Sequence, residues 1–149
     1  MGMTNHVMYI VFKMIRLSTI LILLVAVTAN AGGTPEGEEI TGIVWEWQQT
    51  LYNNETRAVP DDPSNYTVSF DPGGKLYIRA DCNRGGGNYA VEGKAIAMEV
   101  THTTRAMCPP DSLERTFIKD LNAATIYFMR NGNLYIDLKY DTGTMQFGN

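Results

Sequence analysis

From Thr41 onward, apolar side chains recur at every second position, the period of a strand with one buried face. In I-V-W-E-W-Q-Q-T-L-Y (Ile43 to Tyr52), Trp45 and Trp47 share a face and Val44 points away from it. Y-T-V-S-F (Tyr66 to Phe70) alternates the same way and runs into D-P-G-G, a turn signature. In K-L-Y-I-R-A-D, Leu76, Ile78 and Ala80 share one face. N-Y-A-V-E and A-I-A-M-E-V flank a short Gly93-Lys94 connection. T-I-Y-F-M-R and L-Y-I-D-L-K-Y flank Asn131-Gly132-Asn133, and Asn-Gly between alternating runs is a strong hairpin signal. T-M-Q-F closes the series after the turn Asp141-Thr142-Gly143. The stretch from Asn53 to Asn65 is rich in Asn, Asp and Pro and is expected to be a loop.

One segment breaks the period. In P-P-D-S-L-E-R-T-F-I-K-D-L, Leu113, Phe117 and Leu121 recur at spacing four, which makes one apolar stripe on a helix. Asp111 or Ser112 is expected as the N-cap, with Glu114 in the first turn, so the helix should cover about residues 112–121. Seven or eight short strands with one helix predict a mainly β (α+β) fold. Its form is a small antiparallel sheet closing toward a barrel, with the helix packed on it through that stripe. Residues 41–149 form this domain and the polar, acidic stretch 32–40 is a linker; no internal repeat is found.

The N-terminus follows another pattern. Lys13 and Arg16 precede the apolar run Leu17 to Val27, and T-A-N-A supplies Ala29 and Ala31 as the small residues of a cleavage site. Residues 1–31 therefore read as a signal peptide, with Met14 as an alternative start. The run is shorter than the ~20 apolar residues of a spanning helix. An uncleaved anchor is the competing expectation. Lys13 and Arg16 are the only charged side chains in the peptide, so cleavage after Ala31 leaves 118 residues and moves the net charge from −4 to −6. That balance disfavours nucleic acid and anionic membrane surfaces and leaves no expectation of stable membrane insertion. The mature chain is expected to be a monomer in the periplasm, the cell envelope or the extracellular space.

Export brings the cysteines into an oxidising compartment. Cys82 and Cys108 are an even pair, and the simplest expectation is one disulfide, stabilising by ~3.5 kcal/mol on the chain-entropy account. The alternative is a zinc site using Cys82, Cys108, His102 and Asp81, but no closely spaced ligand pair is present. A cysteine or serine nucleophile would need His102, the one histidine left after cleavage, and alternation puts it at a strand end or edge. Gly85-Gly86-Gly87-Asn88-Tyr89-Ala90 matches G-x-G-x-x-A, but no helix follows it, and a dinucleotide site requires one. A turn or bulge with positive φ is the expectation for these glycines. No catalytic residue, metal or cofactor is expected. A disulfide would bring Arg84 and Arg105 to one neighbourhood. With Asn83 they are the candidate contacts for an anion or a partner, the alternative being ion pairs with Asp81, Asp111 or Glu114. Asn54-Glu55-Thr56 and Asn65-Tyr66-Thr67 are glycosylation sequons in the polar loop.

The order of motifs carries a resemblance. W-E-W, Y-T-V-S-F-D-P-G-G-K-L, D-C-N-R-G-G-G-N-Y, T-T-R-A-M-C-P-P, F-I-K-D-L and L-Y-I-D-L together resemble the META domain family, the HslJ-like proteins, from about Thr41 to Phe147. The resemblance implies a small β-rich, barrel-like domain with one helix in an exported or envelope-associated protein. It links such proteins to stress, drug tolerance or virulence and brings no catalytic residues. Cys82, Asn83, Gly85, Gly87 and Tyr89 match the first specific motif, and Thr104, Met107 and Cys108 the second. The chain departs from bacterial relatives in having no lipoprotein cysteine after the apolar run. The expected function is binding or scaffolding through a rigid β surface. A carrier holding a ligand inside the barrel and an inhibitor or adaptor of another envelope protein are the alternatives.

Overall fold

The computed structural model describes residues 37–149; residues 1–31, expected to be a signal peptide, and most of the expected linker lie outside the described residues. Nine strands and one α-helix follow a short 3-10 turn at Glu38–Ile40. The strands are β1 (Val44–Tyr52), β2 (Arg57–Ala58), β3 (Tyr66–Phe70), β4 (Lys75–Ala80), β5 (Asn83–Glu92), β6 (Ala95–Thr103), β7 (Ala124–Arg130), β8 (Asn133–Leu138) and β9 (Gly143–Gly148). The helix α1 (Glu114–Asn122) lies between β6 and β7. Strand pairing is antiparallel throughout the sheet and runs β1-β3-β4-β5-β6-β7-β8-β9, and β9 returns to β1. The sheet is thus a barrel-like ring, and the two-residue β2 pairs with Thr50 and Leu51 of β1. That short strand lies inside the stretch expected to be loop. Its two residues are too few to leave an alternation signal.

Alternation sorted the faces correctly because each strand turns one face to a single interior. Trp45 and Trp47, then Leu76, Ile78 and Ala80, then Leu134, Ile136 and Leu138, are all buried. Phe117 of α1 sits 5.2 Å from Trp47 and 5.7 Å from Tyr66, ring centre to ring centre, and Phe147 lies 6.4 Å from it. Both indole N–H groups are satisfied: Trp45 donates to the Ile40 carbonyl at 3.0 Å and Trp47 to Thr50 Oγ1 at 3.1 Å. Ile40, expected in the linker, is fully buried and belongs to this core. These side chains form one buried cluster facing the inside of the ring.

The ring is weakest between β6 and β7, which share one ladder pair, Ala95 with Ile126. The helix closes the gap. Phe117 and Leu121 enter the core, and Asn122 Oδ1 accepts a hydrogen bond from the Val100 N–H of β6 at 2.8 Å. Without it that strand-edge donor would lack a partner. The helix starts at Glu114, two residues later than expected, with Leu113 at the cap position. Tyr66 holds Leu113 there by accepting its N–H at 2.9 Å, while Ser112 Oγ accepts the Glu114 N–H at 3.2 Å.

The glycine run also differs from expectation. Gly85, Gly86 and Gly87 lie inside β5, and none has a positive φ. Only the bulge is as expected, between Gly86 and Gly87. The reason for glycine is close approach: a Cβ at Gly86 would lie 2.8 Å from the Leu76 carbonyl oxygen, and Cβ atoms at Gly85 and Gly87 would collide with the carbonyls of His102 and Glu99. The positive φ of this corner falls instead on Asp81, at 59°, in the β4–β5 turn.

Candidate functional site

Cys82 lies in that turn, beside Asp81, and Cys108 on the segment that leads from β6 to α1. Their sulfurs are bonded, with a Cα–Cα distance of 5.5 Å. The thiols needed for a zinc site or a nucleophile are therefore engaged in this state. His102 is exposed on β6, with Nδ1 3.2 Å from Thr101 Oγ1.

Asn83 holds the corner together. It is 2% exposed, and its amide group is fully engaged. Nδ2 donates to the Ala106 carbonyl at 3.1 Å and to Glu114 Oε1 at 2.9 Å. Oδ1 accepts from Thr104 Oγ1 at 2.7 Å and from the Ala106 N–H at 2.8 Å. One neutral side chain thus fixes the 104–106 backbone and the first turn of α1 without burying a net charge of its own. Asn83 was expected to face a partner; the structure turns it inward, because the 104–106 backbone needs its donor and acceptor there.

Arg84 and Arg105 are exposed. The two backbones are held side by side. Arg84 N–H donates to Thr104 Oγ1 at 3.1 Å, and Thr104 N–H donates to the Arg84 carbonyl at 2.8 Å. The expected alternative, ion pairs with Asp81, Asp111 or Glu114, is not formed. Among the described residues the ion pair is Lys94 with Glu39, at 2.9 Å, on another part of the surface. Glu114 meets Asn83 instead. Next to Arg105, Met107 is 99% exposed, an apolar side chain left in solvent at the tip of a pinned segment.

A second polar cluster lies where β1 meets α1. Asp120 is 1% exposed, and its Oδ2 accepts from the Tyr52 hydroxyl at 2.6 Å. Thr50, on the same strand as Tyr52, accepts the Trp47 indole N–H. Burial pushes the Asp120 pKa up; the hydrogen bond from Tyr52, the neighbouring Thr50 side chain and the nearby Lys119 charge oppose the shift without cancelling it. The Tyr52 pKa is also pushed up, first by burial and then by the hydrogen bond to Asp120. No expectation was attached to these residues. A signal was present in the helix period: Asp120 stands three residues after Phe117 and one before Leu121, on the buried stripe.

The META domain family matches residues 38–148, and the chain belongs to this family. No curated protein matches it. Among solved structures, an NMR structure of a protein from Burkholderia xenovorans is similar with a TM-score of 0.61 at 17% identity, covering 85% of this chain and 97% of that one. A crystal structure of a DUF4847 family protein from Bacteroides vulgatus ATCC 8482 has a TM-score of 0.54 at 14% identity, covering 73% of this chain and 93% of that one. Likeness at these identities speaks for the fold alone.

Proposed function

We propose that this META domain acts outside the cytoplasm as a non-enzymatic binding or scaffolding module and meets its partner at the disulfide corner. The observation that carries this is the state of Arg84 and Arg105. Both are exposed and without ion pairs among the described residues, on backbone locked by Cys82–Cys108 and by Asn83. A segment already fixed loses little conformational freedom on binding, so more of its contact energy appears as affinity. Guanidinium groups grip carboxylates or phosphates through paired hydrogen bonds, and the exposed Met107 offers an apolar anchor beside them. The partner is then a protein or small molecule that presents an anionic group, not a nucleic acid, since the mature chain is acidic overall. A disulfide persists where the surroundings are oxidising, which supports export; a role in envelope stress or drug tolerance follows from the family resemblance.

The test uses the exported protein. A photo-crosslinking amino acid replaces Met107, and the product is compared in Arg84→Ala and Arg105→Ala backgrounds. One reproducible adduct that both substitutions weaken is expected. An adduct insensitive to both, or none at all, would remove the corner as the contact surface. A thiol count on the native exported protein should find no free thiol until reductant is added; two free thiols would reopen metal and thiol chemistry.

A further inference from the structure

We propose that the cleft between the end of β1, β2 and α1 is a second site, which takes a small anionic sugar: a compound carrying one carboxylate or phosphate and several hydroxyl groups. The cleft has a volume of about 830 Å³, inside the ~300–1,000 Å³ range of small-molecule sites. It shares no residue with the disulfide corner and does not depend on the function proposed there.

Its lining is selective in charge. Arg57 from β2 and Lys119 from α1 both line it, both are exposed, and neither forms an ion pair among the described residues. Two free cations on separate elements can clamp one anionic group from two directions. Asp141 is the one carboxylate of the lining. It would repel a second anionic group but accept hydrogen bonds from hydroxyls, as would the side chains of Thr116 and Thr142. This combination suits a hydroxylated ligand with one anionic group better than a ligand with two separate anionic groups, a metal or an apolar molecule.

The backing is rigid. Tyr52 lines the cleft, and its hydroxyl is fixed inward on buried Asp120. A carboxylate buried without an ion pair is an unfavourable way merely to fill space, since an apolar side chain there would avoid its desolvation. Here it orients a ring on the cleft wall, and Asn53 Nδ2 ties that wall to the Asp141 carbonyl.

Backbone strain gathers at the same place. Non-glycine residues with positive φ include Glu55 at 67°, Tyr140 at 60° and Asp141 at 53°; Asp141 lines the cleft, and Glu55 and Tyr140 are chain neighbours of lining residues. Asn and Asp tolerate that region, whereas Glu and Tyr do so at a cost, and such residues cluster at ligand sites. The strained Tyr140 is 94% exposed, an aromatic face beside Asp141 on which the apolar side of a sugar ring can stack.

The full exported chain, labelled with 15N, is titrated with glucuronate, glucose 6-phosphate, inorganic phosphate and glucose. Glucuronate and glucose 6-phosphate should shift amides within residues 53–58, 116–119 and 141–142 and saturate in the millimolar range. Arg57→Ala and Lys119→Ala should each weaken binding about tenfold, whereas Arg84→Ala should leave it unchanged. Both cleft variants replace exposed side chains, so they should fold. The proposal is overturned if neither anionic sugar gives saturable shifts, if the shifts centre on Arg84 and Arg105, or if both cleft variants bind normally. Inorganic phosphate binding as tightly as glucose 6-phosphate overturns the sugar assignment, and glucose binding as tightly as glucuronate overturns the anion assignment.

Discussion

Asn83 and Asp120 are both polar, both almost fully buried, and both join α1 to the sheet, yet they solve the burial of polarity differently. Asn83 is neutral and matches two donated and two accepted hydrogen bonds, to the Ala106 backbone, Thr104 and Glu114. Asp120 is ionisable, accepts from the Tyr52 hydroxyl, and forms no ion pair among the described residues. An amide can be saturated inside a protein at no cost in charge, so Asn83 serves as a pin. A carboxylate in the same situation keeps an unbalanced desolvation term, which its raised pKa records. The first cluster stiffens a surface segment; the second makes the stability of one end of the ring depend on pH.

The largest test of this contrast is removal of the disulfide that supports the Asn83 corner. Cys82→Ala with Cys108→Ala should lower stability by ~3.5 kcal/mol, measured by urea unfolding of both proteins. A loss under about 1 kcal/mol would mean that Asn83 alone holds the corner. Asn83→Ala should cost about 2–3 kcal/mol, because the Ala106 N–H and Glu114 lose buried partners. A smaller loss than that of any Asp120 variant would reverse the ranking of the two clusters.

Asp120→Asn should change stability at neutral pH by about 1 kcal/mol or less, but it should alter the pH dependence. The folded-state pKa of Asp120 is raised, so the native protein binds the proton more tightly than the unfolded chain. Its favourable contribution is complete below the unfolded value of ~3.9 and is lost as pH rises through the higher folded value. The stability difference between native protein and Asp120→Asn should therefore move against the native protein as pH rises from about 4. Urea midpoints of both proteins across that range check the sign; parallel curves would remove Asp120 as the titrating group. The smallest effect is expected at the exposed arginines. Arg84→Ala and Arg105→Ala should each leave stability within ~0.5 kcal/mol while weakening the crosslink at Met107.

The two clusters were also unequally visible in the chain. D-C-N and T-T-R-A-M-C marked the corner, but neither said that Asn83 points inward, since that follows from where the 104–106 backbone passes. Glu114 looked like an ordinary first-turn acid and turned out to be the partner of Asn83. Asp120 carried only a helical-period signal, three residues after Phe117 and beside the charged Lys119.

The sequence by itself determined the strand faces, the hairpin turns, the existence of the helix and the pairing of the only two cysteines. Each depends on local period, on backbone preferences at one or two residues, or on a count. Tertiary structure alone decided the rest. It decided that β9 returns to β1, that Gly85–Gly87 run inside a strand where neighbouring carbonyls leave no room for a Cβ, and that the helix waits until Glu114. It also decided which buried polar group is saturated by hydrogen bonds and which is an ionisable group held with a raised pKa. Those outcomes depend on groups brought together across the chain, such as Asn83 with Ala106 at 23 positions and Tyr52 with Asp120 at 68, and no local pattern encodes such pairings.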